Sequence, residues 1–288
     1  MGTMNGKICL VTGGTAGIGY YTALEIARMG AEVIIIGRDR QKCISAVERI
    51  RSQAGNPNVD YLLADLASQA QIRAVAEQFL TQHDHLDVLV NNAGAFFLRR
   101  KLSADGIEMT FAVNHLAYFL LTNLLLEVLQ ASYSARVVNV SSGSHVHAQL
   151  DLNDLEMKKF YNPLNAYGRS KLANILFSYE LARRMADTHV SSNVLSPGMV
   201  ATEIWKKVSP WLTPLIYPVI QRIGQAPLEG AQTSIYLATS QDVEGVTGKY
   251  FADKSSIRSS AASYDQQLAI RLWEVSLGLV GLSDSKIN

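Results

Sequence analysis

No feature of this chain limits its fold more than the order of its first segments. Lys7–Thr12 is a short apolar run that stops at Gly13-Gly14-Thr15-Ala16-Gly17-Ile18-Gly19; a helical stretch follows to about Met29, and Glu32–Ile36 is a second apolar run. A strand, a glycine turn, a helix and a second strand within about 30 residues make a βαβ unit. Neither run alternates with polar residues, which suits parallel strands covered on both faces. The alternation goes on. Helix Arg40–Gln53 precedes strand Asp60–Leu63, helix Gln69–Gln82 precedes strand Val88–Val90, and helix Gly106–Gln130 precedes strand Arg136–Val140. Helix Ala166–Asp187 then leads to strand Ser192–Ser196, and a last helix near Glu229–Ala238 leads to a strand near Lys249–Phe251. The expected fold class is α/β: one doubly wound, Rossmann-type domain over residues 1–288, with a parallel sheet and helices on both faces.

Composition narrows the partners. A net charge of +1 gives no electrostatic case for nucleic acid. The two cysteines, Cys9 in a strand and Cys43 in a helix, make no disulfide framework and read as packing residues of a reducing, cytoplasmic protein. With the first strand beginning near Lys7, no signal peptide or membrane anchor is expected. His145-x-His147 lacks a third ligand of suitable spacing, so no metal is expected either.

The ends of the strands carry the polar residues that matter. Gly13, Gly17 and Gly19 follow the first strand in a GxxxGxG spacing, where Thr15, Ala16 and Ile18 fill the turn. Glycines let the backbone approach a pyrophosphate, and a helix N-terminus offers it free N–H groups and a positive dipole end. The second strand ends at Gly37-Arg38-Asp39. Simple spacing would nominate Asp39 for a ribose hydroxyl, but it lies past the strand and looks like the N-cap of the next helix. Arg38 is placed to meet a ribose 2′-phosphate, which predicts NADP(H) as cofactor. Asp65-Leu66 follows the third strand, where an adenine ring would lie. Asn91-Asn92-Ala93-Gly94 follows the fourth; Asn91, Ala93 and Gly94 suit a cofactor lying across strand ends. Asn114 interrupts the apolar stretch FAVNHLAYFLL and needs partners there; it either mends a helix kink or holds a water in a proton relay.

Val137-Val138-Asn139-Val140-Ser141-Ser142 reads as a buried strand ending in two serines, and Tyr167 and Lys171 lie on one face of the helix that follows. A phenol beside an ammonium makes sense where the phenol exchanges a proton near neutral pH. Lowering a tyrosine from ~10 to about 7 takes roughly 4 kcal/mol. Lys171 falls short of that alone, and a positively charged cofactor ring would add to it.

Taken together, Thr12–Gly19, Asn91–Gly94, Asn114, Ser142, Tyr167-x-x-x-Lys171 and Pro197-Gly198 resemble the short-chain dehydrogenase/reductase family. Gly37-Arg38-Asp39, Asn139–Ser142, Ser170–Asn174, Glu229–Ser234, Gly248–Phe251 and Leu272-Trp273 resemble its retinol dehydrogenase branch. The resemblance implies an NADP(H)-dependent oxidoreductase that interconverts apolar alcohols and aldehydes or ketones. It implies that Tyr167 is the general acid/base and that Lys171 supports it while binding the nicotinamide ribose. Ser142 would contact the substrate oxygen, with Ser141 the competing assignment, and Asn114 would hold the relay water. Pro197, Gly198, Val200 and Thr202 would contact the carboxamide end of the cofactor. Two other readings stay open: a catalytically silent NADP-binding sensor or scaffold, and a protochlorophyllide-reductase-like enzyme. The helix containing Leu120–Leu129 is apolar nearly all round, so one face can meet the sheet and the other a second subunit; a homo-oligomer is expected.

Met199–Leu228 carries Trp205, Trp211, Leu212, Leu215, Ile216, Tyr217, Val219 and Ile220 among Pro210, Pro214 and Pro218. Its core, Val208–Ile220, is too short and proline-broken for a spanning helix. Core packing, peripheral membrane contact and an apolar lid over the substrate remain as readings. The lid is favoured, because the segment leaves the sheet at the ligand-binding strand ends.

Overall fold

The computed structural model describes residues 3–198 and 226–283. The Met199–Leu228 lid expectation, with Val200 and Thr202, therefore lies almost wholly outside the described residues. Eight strands form one sheet in the order β3-β2-β1-β4-β5-β6-β7-β8. They are β1 (Ile8–Thr12), β2 (Glu32–Gly37), β3 (Val59–Leu63), β4 (Val88–Asn91), β5 (Ala135–Val140), β6 (Val190–Leu195), β7 (Tyr250–Ala252) and β8 (Ser255–Ile257). All pair in parallel except β7 with β8, which pair antiparallel. The strand order reverses between β1 and β4, and the crevice at that switch point is where such sheets bind ligands.

Strand side chains explain the unbroken apolar runs. Ile8 and Leu10 of β1 and Ile34 and Ile36 of β2 join one core, while Cys9, Val11, Val33 and Ile35 join the other. Successive side chains point to opposite faces, and both faces are covered. Helices α1 (Gly17–Arg28), α2 (Arg40–Ala54) and α7 (Pro227–Thr239) close one side. Helices α3 (Gln69–Gln82), α4 (Ala117–Leu124), α5 (Leu126–Ala131), α6 (Pro163–Arg184) and α8 (Gln266–Val280) close the other.

The expected helix Gly106–Gln130 is broken up. Glu108 caps its start, each carboxylate oxygen accepting one backbone N–H, from Thr110 and Phe111 at 2.8 Å. A short turn, Met109–Phe111, leads into a π-helical stretch, Ala112–Leu116, before α4. Such bulges recur at functional sites, and this one holds Asn114. Helix α6 begins at Pro163 rather than Ala166, with Asn162 accepting from the Asn165 N–H. An Asn-Pro pair is a strong start signal.

Two elements were not expected. Strand β8 is short and exposed; it pairs back on β7 through Asp253 and Lys254, both at positive φ, a hairpin without the usual glycine. Helix α8 runs from an Asp265 cap to a left-handed Gly281. Its Trp273 is fully buried, meeting Phe119 of α4 at 4.9 Å and stacking on Phe177 of α6 at 5.7 Å, with Arg184 over its ring at 4.4 Å. Leu120, Leu121, Leu125, Leu126 and Leu129 are all at most 3% exposed. The chain itself buries these leucines, so they offer no apolar face to a second subunit. Among the described residues no helix is long and apolar enough to cross a membrane.

A polar row crosses the middle of the sheet. Asn91 of β4 donates to Asn139 of β5 (3.0 Å) and to Thr122 (3.0 Å), Asn139 donates to Ser192 of β6 (3.4 Å), and Ser192 meets Ser178 of α6 (2.9 Å). All five are buried.

Trp273→Ala should remove about 3–5 kcal/mol of stability by opening a cavity between α4, α6 and α8. Thermal or urea unfolding measures it, and a loss below about 1 kcal/mol would show that α8 is not part of the core.

Candidate active site

A cleft of about 490 Å³ follows the C-terminal ends of the strands. Gly13, Thr15, Ala16, Gly17 and Ile18 line one end of it. Gly13 and Gly17 have positive φ (67° and 59°), which bends the chain sharply from β1 into α1. A Cβ at Gly13 would press on Ala93 and Asn92 at 3.0–3.2 Å. Helix α1 has no side-chain cap at Ala16 and no acidic residue in its first turn. Its N–H groups and dipole thus face the cleft uncompensated, as an anion requires. Gly19 packs rather than lines: a Cβ there would fall 2.4 Å from Asn92 Nδ2.

The end of β2 behaves as expected. Asp39 caps α2, accepting from the Lys42 N–H at 3.1 Å. Arg38 is exposed and lines the cleft. A Cβ at Gly37 would lie 2.6 Å from Cys43 Sγ and 2.8 Å from Thr15 Cγ2, so no carboxylate fits there without a shift. Asp65 and Leu66 also line the cleft; the Asp65 carboxylate accepts the Ala67 N–H at 3.0 Å, which fixes the turn after β3.

After β4, Ala93 and Gly94 line the cleft, but Asn91 faces away from it into the polar row. Asn92 takes its place. Its side chain donates to Thr12 O at 2.8 Å, and the Thr12 hydroxyl accepts from the Asn92 and Ala93 N–H groups at 2.8 and 3.0 Å. This clasp holds the β1 and β4 ends together. Nothing in the doublet Asn91-Asn92 distinguishes the two except strand parity.

Asn114 lies behind the cleft wall, fully buried. Its Nδ2 donates to Ala95 O and Ser170 Oγ, both at 3.0 Å, and its Oδ1 accepts from the Ala95 N–H at 2.7 Å. The amide therefore ties the π-helical turn to the loop after β4 and to α6. Gly94 sits between Asn114 and Lys171: a Cβ there would be 3.7 Å from Asn114 Oδ1 and 3.5 Å from Lys171 Nζ.

The two serines after β5 have separate tasks. Ser141 is buried and donates to Lys171 O at 2.8 Å. Ser142 lines the cleft beside Tyr167, and its hydroxyl accepts the Ser144 N–H at 3.2 Å. Lys171 is buried, donates to Val140 O at 3.0 Å, and holds its ammonium 5.6 Å from the Tyr167 ring centre. Burial pushes the Tyr167 phenol up to about 12, against a lowering by the Ser142 side chain. Burial pulls the Lys171 ammonium down to about 7. Both groups are driven toward their neutral forms. Pro197 and Gly198 complete the far end.

Sequence reasoning missed part of the wall. Phe96, Phe97, Met109, Val113 and Leu164 make an apolar flank beside Tyr167, with the Phe96 ring 5.8 Å from its ring. Their signal is only that apolar residues follow Gly94 and precede Tyr167. Among the described residues no group of histidine, cysteine and carboxylate side chains could hold a metal ion.

A crevice along the strand ends, lined by serine, tyrosine and lysine side chains, defines a class. Residues 7–213 match the short chain dehydrogenase family, and the chain belongs to that short-chain dehydrogenase/reductase family, in its retinol dehydrogenase branch. It is 44% identical to retinol dehydrogenase 14 of Mus musculus, covering 98% of this chain and 88% of that one. It is 41% identical to polyprenol dehydrogenase of Homo sapiens, covering 96% and 86%. Among solved structures, an uncharacterised protein from Mycobacterium paratuberculosis superposes with a TM-score of 0.80 at 29% identity over 98% of this chain and 96% of that one. The RhlG/NADP active-site complex of Pseudomonas aeruginosa superposes with a TM-score of 0.69 at 28% identity over 86% and 95%.

The depressed Lys171 has a measurable consequence. Between about 7 and the ordinary lysine value of 10.5, the unfolded chain binds more protons than the folded one, so this group makes stability rise with pH across that window. Lys171→Met should therefore be more stable than wild type at about pH 7 and lose that advantage by about pH 10, by on the order of a few kcal/mol. Urea unfolding at both pH values tests this; a difference that does not change with pH would rule out a desolvated ammonium.

Proposed function

We propose that this protein is an NADP(H)-dependent oxidoreductase that interconverts apolar alcohols with aldehydes or ketones, with Tyr167 exchanging the proton. The observation that carries the reading is that Ser142, Tyr167 and Lys171 line one cleft, with the Lys171 ammonium 5.6 Å from the Tyr167 ring centre. The cofactor fits what lines that cleft: an uncapped α1 N-terminus for the pyrophosphate, glycine where a Cβ would obstruct, and Arg38 with no carboxylate beside it at Gly37. When bound, it supplies the hydride and, in its oxidised form, a positive ring.

The chain's own residues do the rest. Arg38 meets the 2′-phosphate, and Thr15 to Ile18 present backbone N–H groups to the pyrophosphate. Asp65 and Leu66 flank the adenine; Ala93 and Gly94 keep the crevice floor low. Pro197 and Gly198 border the nicotinamide end. Ser142 donates to the substrate oxygen and holds it against Tyr167 Oη. In reduction the Tyr167 phenol gives its proton to that oxygen; in oxidation the phenolate takes it back. The phenol value of about 12 suits the first role as it stands. The second requires positive charge nearby, which Lys171 and the oxidised ring provide together. Asn114 holds the Ala95 backbone, and with it the floor under Lys171. The flank formed by Phe96, Phe97, Met109, Val113 and Leu164 favours an apolar substrate over a sugar or an acid.

Tyr167→Phe should cut turnover of apolar aldehydes by at least about a hundredfold while leaving NADPH affinity nearly intact, because it removes a proton and little area. Ser142→Ala should cost more than Ser141→Ala. NADPH oxidation followed by absorbance reads both, and more than a few per cent activity in Tyr167→Phe would sink the assignment.

Arg38→Ala should raise KM for NADPH by roughly tenfold and leave KM for NADH unchanged, as expected for the loss of one charge-assisted hydrogen bond. A wild-type enzyme that prefers NADH would refute the cofactor choice.

A further inference from the structure

Among the described residues, His145 is the buried imidazole beside Ser142, and no step above uses it. It follows Ser142 on a short helical turn, Gly143–His147, and is 2% exposed. Its Nδ1 lies 2.7 Å from Ser142 O, and its Nε2 accepts from the Ser260 N–H at 3.1 Å. A carbonyl can only accept and a backbone N–H can only donate, so the partners dictate one state: neutral, with the proton on Nδ1. Adding a second proton would set one N–H against another. The ring also packs 5.0 Å from Tyr250 of β7. The Ser260 side of the clamp is itself anchored. Tyr179 of α6 meets Ser259 Oγ at 2.8 Å, and Ser259 meets Ser263 at 2.6 Å.

We propose that His145 is a positioning residue for Ser142: the Nδ1–H of its neutral imidazole holds the Ser142 carbonyl and so aims the Ser142 hydroxyl at Tyr167, while the Ser260 N–H on Nε2 fixes the tautomer. The proposal rests on the role given to Ser142 above. Beyond Ser141, which is tied to Leu195 O and Lys171 O, the turn after β5 otherwise carries the exposed Ser142–Ser144 contacts. A small displacement of the serine relative to Tyr167 lowers the reaction rate far more than it lowers cofactor binding, which takes place at the other end of the cleft.

Two neutral substitutions separate the halves of the clamp. His145→Asn places an amide N–H where Nδ1 stood and keeps the bond to Ser142. His145→Gln places its amide carbonyl where Nε2 stood and keeps only Ser260. His145→Asn should retain kcat within about threefold of wild type, His145→Gln should lose roughly tenfold, and neither should change NADPH affinity by fluorescence titration. Nitrogen-15 NMR of the wild-type imidazole should show the neutral Nδ1–H form at neutral pH. The proposal fails if the two variants are equally active, if Gln outperforms Asn, if the loss appears in NADPH affinity, or if the imidazole is protonated or carries its proton on Nε2. Ser142→Ala keeps the two readings apart. If it is as active as wild type, the role of Ser142 has failed; if it is crippled while the histidine variants behave alike, only the clamp has failed.

Discussion

The joint between the end of β5 and helix α6 supports everything else in the site. Lys171 donates from Nζ to Val140 O, and Ser141 donates back to Lys171 O. Asn174, nearly one turn further along α6, adds a longer bond to the same Val140 carbonyl at 3.4 Å. These bonds fix the register of the helix against the strand. Tyr167 and Ser142 occupy the next positions outward on either side, so their meeting follows from it. Tyr167 rides on α6 itself, and Ser142 lies two residues past the end of β5, so the joint sets where both begin.

That rigidity has an electrostatic cost. The same burial that fixes Lys171 removes water from it and from Tyr167, and both are driven toward neutrality. The cleft is thus organised for a charge it does not itself carry. It has an uncapped helix end, an exposed arginine and a lysine near its midpoint at neutral pH, all arranged around the space where an anionic cofactor would lie. A site of this kind destabilises the chain that holds it and recovers the difference on binding.

Much of this was legible in the sequence, and the parts that were not share a cause. Local chemistry can be read: Asp39 as a cap, Gly37 as a strand end without a carboxylate, Tyr167 and Lys171 on one helix face. Choices made by tertiary contact cannot. Asn91 and Asn92 are the same residue side by side, and only the pleat of β4 sends one to the core and the other to the cleft. Ser141 and Ser142 divide in the same way: the first is buried with its hydroxyl on Lys171 O, and the second is partly exposed. The π-helical turn at Ala112–Leu116 has no sequence mark beyond the asparagine it serves. Strand β8 is too short and polar to show a period. Helix α8, by contrast, carried both its cap, Asp265, and its stop, Gly281; the apolar stripe between them was there to be read. It also covers the face of α4 that carries Phe119.

The polar row across the sheet has a consequence for how the strands find one another. Parallel strands this uniformly apolar can be slid past each other with little change in buried area. Val, Ile and Leu exchange for Val, Ile and Leu. Asn91 facing Asn139, and Asn139 bonded to Ser192, break that degeneracy. A slip of one residue sends every side chain of a strand to the wrong face, and a slip of two would leave buried amides opposite aliphatic carbons with their hydrogen bonds unmade. The row works as a key cut into otherwise interchangeable strands, admitting one alignment of β4, β5 and β6, and with it the alignment that brings their ends to a common cleft.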